Sequence, residues 1–295
     1  MAALLQPVKF DRERDLLRVL DLVALARASG STTDFLHPGG LQWWLRRLGR
    51  ERFAVKVCES GDELVAFVLE DDGYVIIQTD GRYRDEWREL LVWAEDEMRS
   101  SGGTSIEISV PDGHPDLTPF LISRGYAPAG TSSEELVYEL GEPPQPVLPP
   151  GFAMASLETV DDDAFVQLHR DGWSTRGPSP YNRKQHDAVT SMPGFRRDLV
   201  PVVLAPNGTP AAYCIGWSDA VSGSLEIEPL ATRPAYRRIG LATAIVREIV
   251  RRGSQHGAEY VMVWGVSENP VAKQLYKGAG FRKRRVVKEY RKALT

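Results

Sequence analysis

The chain has 295 residues, of which 42% are hydrophobic, so it is long enough for two ordinary domains and too apolar to be intrinsically disordered. No apolar run approaches the roughly 20 residues of a membrane span, and the N-terminal segment has neither a basic start nor a cleavage site, so we expect a cytoplasmic protein with no membrane partner. The two cysteines, Cys58 and Cys214, lie in apolar runs and imply neither a disulfide framework nor a metal site.

The net charge of -4 is unevenly distributed along the chain. Residues 1–140 contain 15 basic and 25 acidic side chains, whereas residues 141–295 contain 21 and 15. An acidic half attracts cationic molecules and a basic half attracts anions, although such fields affect encounter more than fold. The alternative is a solvated surface on which the charges happen to be segregated.

In chain order, the first half alternates helical and strand patterns. The apolar spacing predicts helices over 12–28 and around 41–48, strands over 52–59, 63–70 and 74–80, a helix over 86–100, a strand over 105–110 and a helix over 115–125. Five prolines between residues 141 and 151 then forbid a helix or a central strand and predict an extended linker. We therefore predict two domains, at 1–140 and 152–295.

The second half begins with predicted helices over 161–173 and 179–192, the latter with Ser179 as its cap and Pro180 in its first turn. Strands are predicted over 199–206 and 211–217, joined by an Asn207-Gly208 turn, and over 224–231. The pattern then predicts a helix from 241 to about 256, a strand over 260–266, a helix over 270–280 and a strand over 281–291. This order predicts an α/β fold with a mixed sheet rather than a doubly wound one.

The two halves share this order of elements. A shift of 155 positions matches Pro115 with Pro270 and Gly125 with Gly280. So few matches also arise by chance, but the shared order favours an internal duplication.

Two arginines and a glycine stand before the helix predicted at 241. Several backbone N–H groups lack partners at a helix start, and the aligned peptide dipoles leave partial positive charge there, so such a turn binds anions. Gly240 has no side chain to keep a phosphate off the backbone, Ala242 is small, and Arg237 or Arg238 can donate charge-assisted hydrogen bonds. The alternative is an ordinary helix start with solvated arginines.

Two motifs of this half resemble the signatures of the GNAT superfamily of N-acetyltransferases. Arg237, Gly240 and Ala242 match its acetyl-CoA-binding pattern, Gln/Arg-x-x-Gly-x-Gly/Ala. The second pattern, Asn-x-x-Ala-x-x-Leu-Tyr-x-x-x-Gly-Phe, is matched by Asn269, Ala272, Leu275, Tyr276, Gly280 and Phe281. The resemblance covers about residues 152–292. With the duplication, it implies two tandem GNAT-like domains, each with a central, mixed, mostly antiparallel sheet flanked by helices.

The resemblance also implies a site for acetyl-CoA as the acyl donor. The backbone of Leu230, Ala231 and Thr232 would pair with its pantetheine arm. Its pyrophosphate would be held by the amides of Arg238, Ile239, Gly240, Leu241 and Ala242, with Arg237 nearby. Asn269 would contact the coenzyme, and the alternative is that it only caps the helix before Pro270.

Three side chains are candidates for proton transfer. The resemblance makes Tyr276 the general acid that protonates the departing thiolate, and the alternative is a tyrosine that packs one face of a short helix. Glu226 and Glu228 share one face of the strand predicted over 224–231, where either could deprotonate an amine if burial or the second carboxylate raised its basicity. The alternative is a pair of solvent-facing glutamates.

The first half departs from these motifs. In the 155-residue register Gly240 falls on Asp85, Ala242 on Trp87 and Tyr276 on a leucine, so the phosphate site would carry an acid and a bulky indole. We therefore expect a degenerate first domain that binds no coenzyme, packs against the second and forms one wall of the acceptor cleft.

These features predict an N-acetyltransferase in which the amine of a small molecule attacks acetyl-CoA directly, without a metal ion. The acidic first half makes a cationic acceptor the expected one. The alternatives are an acyl-CoA-binding regulatory protein without turnover, or an enzyme for O-acylation or for longer acyl chains. The basic segment over 282–292 has a strand pattern in an acidic chain, which argues against nucleic acid as a partner. The sequence allows a monomer or a homodimer.

Overall fold

A computed structural model of the protein describes residues 5–30, 36–142, 144–174, 177–265 and 269–294. Its helices are α1 (Arg12–Ala28), α2 (Pro38–Leu45), α3 (Trp87–Ser100), α4 (Leu117–Ser123), α5 (Asp162–Gly172), α6 (Arg183–Thr190), α7 (Leu241–Gln255) and α8 (Pro270–Gly278). Its strands are β1 (Val8–Lys9), β2 (Phe53–Ser60), β3 (Glu63–Asp71), β4 (Tyr74–Thr79), β5 (Ser105–Pro111), β6 (Ala127–Glu139), β7 (Ala153–Ser156), β8 (Pro201–Leu204), β9 (Pro210–Asp219), β10 (Ser224–Thr232), β11 (Tyr260–Val263) and β12 (Arg282–Ala293). Within the described ranges, every helix is too short or too polar to cross a membrane.

By their contacts, the residues form two compact units. Unit 1 consists of Met1–His37, Arg47–Glu134 and Arg285–Thr295, and unit 2 consists of Pro38–Arg46 and Glu135–Arg284. Helix α2 therefore belongs to unit 2, and most of β12 belongs to unit 1. The predicted domain boundaries around the proline-rich linker follow the sequence instead and stay a prediction.

The sheet of unit 1 is mixed. Strands β1 to β4 pair with their sequence neighbours in antiparallel fashion, β4 and β5 are parallel, and β5 pairs antiparallel with residues 287–293 of β12. Helix α3 has one apolar face, from which Leu90, Leu91 and Ala94 enter a core that also contains Ile106 and Ile108 of β5. The amphipathic spacing of α3 thus fixes which of its faces is buried in this core.

The sheet of unit 2 has the strand order β7, β8, β9, β10, β11, β6. Its described pairs are antiparallel except for β10 with β11, and residues 136–139 of β6 pair with β11. Helix α7 buries Leu241, Ile245 and Ile249 in a core shared with Leu225 of β10. This packing fixes the N-terminus of α7 next to the end of β10.

The predicted fold class is confirmed, because each unit has a mixed, mostly antiparallel sheet on which helices pack. Moved back by 155 residues, the bounds of α7 and β12 fall within one residue of those of α3 and β6, as a duplication requires. The helix predicted over 179–192 is wrong at its start. Helix α6 begins at Arg183, and Asn182 rather than Ser179 caps it, accepting from the Gln185 amide at 3.1 Å. Strands β1, β6 and β7 were missed.

Candidate active site

Strand β10 leaves its parallel neighbour part-way along its length. Residues 224–226 pair with residues 260–262 of β11, and beyond them β10 has no β11 partner among the described residues although it continues to Thr232. Its pairing with β9 shifts register around Pro229, which has no N–H to donate to a ladder. The backbone of β10 is therefore open on one side from Glu228 to Thr232.

The turn after β10 exposes amides at the start of α7. Arg238 has φ 67° and Gly240 has φ 91°, left-handed conformations that lead the chain into the helix. A Cβ at Gly240 would meet nothing within 4 Å, so the backbone angle, not crowding, favours glycine there. No side chain of the described residues caps this helix. Its first N–H groups and the positive end of its dipole are thus available to an anion.

A cleft of about 480 Å³ lies between the open side of β10, the start of α7 and α8. It is lined by Gly172, Trp173, Leu230, Ala231, Thr232, Tyr236, Arg237, Arg238, Gly240, Leu241, Ala242, Thr243, Asn269, Val271, Ala272 and Leu275. Nine of the ten residues predicted to bind the coenzyme are in this group. The tenth, Ile239, lies on the same turn and is 45% exposed. The fold therefore brings the predicted binding residues together, and their contact with a coenzyme stays a prediction.

Arg237 has a structural task at the cleft wall. Its Nε donates to the Thr232 carbonyl at 3.0 Å, and its Nη2 donates to the Gly172 carbonyl at 2.8 Å. These bonds join the end of β10 to the end of α5. Arg238 is exposed on the neighbouring turn, so it is the better placed of the two arginines for an incoming phosphate.

Asn269 caps α8. Its side-chain oxygen accepts a hydrogen bond from the Ala272 amide at 3.1 Å, and the residue also lines the cleft. The cap predicted as one alternative is therefore present, and contact with the coenzyme stays a prediction.

Tyr276 is buried in the core of unit 2 and packs edge-on against Phe281, with ring centroids 5.4 Å apart. Burial raises the pKa of its hydroxyl, and the nearby Cys214 and Glu228 raise it further. Tyr276 therefore keeps its proton at neutral pH. The packing predicted as an alternative role is present, Tyr276 is not among the described residues that line the cleft, and its role as proton donor stays a prediction.

The two candidate bases have different surroundings. Glu226 is buried, and its Oε2 accepts a hydrogen bond of 2.6 Å from the Gly40 amide in the first turn of α2. The prediction that Glu226 could be a solvent-facing side chain is therefore wrong. Gly40 was missed because it lies 186 residues from Glu226 in the sequence, and no local pattern connects them.

Glu228 is half-buried at the place where β10 opens. Its carbonyl accepts a hydrogen bond from the Trp217 indole at 2.7 Å, which fixes the backbone there. Its charge raises the pKa of both Tyr276 and Tyr213, so its carboxylate lies near both hydroxyls. Glu228 is thus a carboxylate whose charge acts on Tyr276, the predicted proton donor.

A group of buried tyrosines and histidines lies behind the cleft. The Tyr213 hydroxyl hydrogen-bonds with His169 Nδ1 and accepts from the Trp173 indole N–H at 3.3 Å. Burial, then the charges of Arg46 and His186, lower the pKa of His169 to about 3. His169 is therefore a neutral imidazole at physiological pH. No sequence pattern predicts this group, because its members lie on separate elements.

A second buried tyrosine and histidine, Tyr181 and His186, are also joined by a hydrogen bond between the hydroxyl and Nδ1. The Tyr181 hydroxyl lies 3.1 Å from His186 Nδ1, and His186 Nε2 lies 3.2 Å from an Asp162 carboxylate oxygen. Burial opposes the charge of Asp162, but hydrogen bonds from Arg197 and His186 outweigh it and lower its pKa. In the described part of the chain, no group of three or more His, Cys, Asp or Glu side chains is placed to hold a metal ion.

Unit 1 has different residues at the corresponding helix start. Helix α3 begins at Trp87, whose indole is buried in the core of the unit, and Asp85 lies exposed in the 3₁₀ turn before it. Leu121, the counterpart of Tyr276, is buried and has no proton to donate. These features favour a first half that binds no coenzyme, which stays a prediction.

Known proteins share this sequence pattern and fold. Residues 163–281 match the model of the acetyltransferase (GNAT) family. No curated protein matches the sequence. Among solved structures, the chain is similar to a GCN5-related N-acetyltransferase from Sphaerobacter thermophilus, with 18% identity, coverage of 100% of this chain and 97% of that chain, and a TM-score of 0.63.

Two further structures cover almost the whole chain. One is a tandem GNAT protein from the clavulanic acid biosynthesis pathway, with 15% identity, coverage of 99% and 98% of the two chains and a TM-score of 0.71. The other is a GNAT-family acetyltransferase from Colwellia psychrerythraea, with 14% identity, coverage of 98% and 99% and a TM-score of 0.61. At identities of 14–18%, these similarities show the fold alone. The tandem GNAT protein shares this fold over 98% of its own length.

Proposed function

We propose that the protein is an acyltransferase that transfers the acetyl group of acetyl-CoA to the amine of a small molecule, because residues 163–281 match the model of the acetyltransferase (GNAT) family. The observation that carries the proposal is the cleft beside β10, because nine of the ten residues predicted for the coenzyme line it. The alternatives are a regulatory acyl-CoA-binding protein, O-acylation and transfer of longer acyl chains.

The residues of the cleft fit the coenzyme. The start of α7, which no described side chain caps, offers N–H groups to a pyrophosphate, and Arg238 adds a positive charge. Leu230, Ala231 and Thr232 lie where β10 has left β11, so their backbone can pair with an extended amide chain such as pantetheine. When bound there, acetyl-CoA supplies a thioester that an amine can attack.

We assign the base to Glu228 and a positioning role to Glu226. One oxygen of Glu226 is committed to the Gly40 amide, and the side chain is buried under α2. Glu228 is half-buried at the opening of the strand and acts electrostatically on Tyr276. In the transfer, a C–N bond forms as the C–S bond breaks. Glu228 accepts the proton that the amine nitrogen loses, and Tyr276 donates its hydroxyl proton to the leaving sulfur.

Calorimetry with CoA and an acetyl-CoA assay over a panel of amines, with detection of free thiol, test the proposal. We expect about one CoA per chain and amine-dependent thiol release. Absence of CoA binding would refute the proposed function, and binding of two per chain would refute a coenzyme-free first half. Binding without turnover on any amine would support the regulatory alternative, and release with alcohols or longer acyl-CoA would support the other two.

Glu228→Gln and Glu226→Gln are a matched pair for the assignment of the base. Glu228→Gln should lower turnover by roughly 100-fold or more at unchanged CoA affinity, the range expected for loss of a general base. Glu226→Gln should keep turnover within a fewfold and lower the melting temperature, because the Gly40 amide loses a charged acceptor. The opposite pattern would assign the base to Glu226.

We also propose that the acceptor is cationic and that the protein acts in the cytoplasm. The excess of acidic side chains in residues 1–140 supports the first point, because it would attract a cation. With acetyl-CoA saturating, kcat/KM for such an acceptor should fall as salt rises, since charges are screened beyond about 8 Å at physiological ionic strength. A flat salt profile would refute electrostatic attraction of the acceptor.

A further inference from the structure

Trp173 directly follows the last residue of α5 and lines the cleft. It is 48% exposed, and the residue before it, Gly172, packs so closely on β10 that an added Cβ would lie 2.7 Å from the Ala231 Cβ. The indole therefore lies next to residues 230–232, the segment expected to pair with pantetheine. A large exposed aromatic surface in a cleft is a feature that apolar groups of a ligand bind.

A buried hydroxyl holds the indole in this position. Tyr213 is the cross-strand partner of Ala231 on β9, and its hydroxyl accepts the Trp173 N–H at 3.3 Å. An indole nitrogen is only a donor, so this bond uses an acceptor position of the hydroxyl and leaves the Tyr213 proton free to be donated to His169 Nδ1. With the Tyr213 proton donated there, the neutral His169 ring carries its own proton on Nε2.

The imidazole of His169 is itself fixed by packing. Its ring centroid lies 3.9 Å from that of Tyr181 and 5.8 Å from that of Trp43. Burial lowers the pKa of the ring to about 3, so the ring is neutral near pH 7, and in the tautomer with its proton on Nε2 the Nδ1 atom is an acceptor. The chain of bonds thus runs from a rigid aromatic core, through one hydroxyl, to a side chain at the surface of the cleft.

We propose that Trp173 is a coenzyme-binding residue that packs against the pantetheine arm, and that Tyr213 and His169 are positioning residues that hold its indole there. This inference rests on the proposed function, because it takes CoA as the ligand of the cleft. Pantetheine is a chain of methylene and amide groups, which pack well on the face of an indole. The pyrophosphate, by contrast, is expected at the start of α7.

Two probes separate these parts of the ligand. CoA contains the pantetheine arm, and adenosine 3′,5′-bisphosphate does not. Trp173→Ala should weaken CoA binding roughly tenfold or more, as loss of a central aromatic contact does, while leaving binding of the bisphosphate unchanged. Equal weakening for both probes, or no change for either, would overturn the inference. If the parent protein fails to bind CoA, the proposed function itself fails, whereas normal binding by parent and variant alike overturns only this inference.

A double-mutant cycle tests the positioning role. Trp173→Phe removes the N–H and Tyr213→Phe removes the hydroxyl, so each should weaken CoA binding about three- to tenfold, and the double variant should be no weaker than the weaker single variant. Additive losses would show that the two side chains act independently and would overturn the positioning role. Affinities are compared well below the melting temperature of each variant, because Tyr213→Phe also leaves His169 without its buried donor.

Nitrogen NMR of the histidine side chains gives a readout that does not depend on binding. A His169→Gln variant assigns the His169 signals. We expect an unprotonated Nδ1 and a protonated Nε2 that do not titrate between pH 5 and 8. A proton on Nδ1 would mean that Tyr213 does not donate to His169, and it would overturn the chain of bonds.

Discussion

Gly172→Ala tests whether α5 and β10 must approach each other as closely as they do. The added Cβ would lie 2.7 Å from the Cβ of Ala231 and 3.7 Å from the amide nitrogen of Thr232. Carbon atoms in contact are normally about 3.5 to 4.0 Å apart, so the end of α5 must move by roughly 1 Å. Neither methyl group can rotate away. Overpacking of this kind costs about 1 to 3 kcal/mol, or roughly 2 to 10 °C in melting temperature.

The displacement also acts on the cleft, because the Gly172 carbonyl accepts a hydrogen bond of 2.8 Å from Arg237. We therefore expect weaker CoA binding together with the lower melting temperature, measured by calorimetry and by circular dichroism. The double variant Gly172→Ala/Ala231→Gly moves the methyl group from one side of the contact to the other and should recover most of both losses. Gly278→Ala is the control, since a Cβ there meets nothing within 4 Å and should be neutral or slightly stabilising.

A parent-like melting temperature for Gly172→Ala would show that the helix end is loosely packed and would refute the reasoning. If the double variant did not recover the melting temperature and the CoA affinity, the reasoning would also be refuted, because the cost would then not come from this pair of carbon atoms.

Three further predictions concern charge and proton transfer. Gly240→Glu should abolish CoA binding, because it places a carboxylate at the start of α7. Gly240→Ala is the control: it has the same backbone strain of about 1 to 2 kcal/mol at φ 91° but no charge, and it should still bind CoA. Equal affinities of the two variants for CoA would place the pyrophosphate elsewhere. Tyr276→Phe should lower turnover roughly 10- to 10,000-fold at unchanged CoA affinity, and unchanged turnover would leave the tyrosine only its packing role. Burial opposes the charge of Glu95, but Arg124 and Lys292 outweigh it and lower its pKa from 4.5 to about 2. Because the pKa is lower in the folded state, Glu95 stabilises the protein above about pH 5, by on the order of 3 kcal/mol, and this stabilisation is lost as the pH falls towards 2. In urea unfolding, Glu95→Gln should remove this pH dependence of the free energy of unfolding. An equal pH dependence in the variant would contradict the assignment to Glu95.

The features that were predictable from the sequence are local ones. The start of α7 is specified by a short motif around Gly240, and the apolar spacing of the same helix predicts the face that enters the core. The cleft follows, because a splayed strand and a helix start that adjoin in sequence must also adjoin in space. The start of α6 could not be fixed, because Ser179 and Asn182 are both good caps and only tertiary packing selects between them. Strand β6 was missed because the Gly, Ser and Pro content of residues 127–133 is poor for a strand, and the residues that pair with β11 are only the last four, 136–139.

The interactions that could not be predicted join residues far apart in the chain. They also show which contacts from the first half of the chain stabilise unit 2. A buried carboxylate must be hydrogen-bonded, and Glu226 takes a donor from Gly40 of α2. The same helix supplies Gln42, whose side-chain oxygen accepts the Gly194 amide at 2.7 Å, and Trp43, which stacks on Tyr181. A chain that began at residue 152 would leave a buried charge without this donor and would expose the apolar surface on which α2 packs. Unit 2 therefore requires the first half of the chain for α2 and for the part of β6 that pairs with β11.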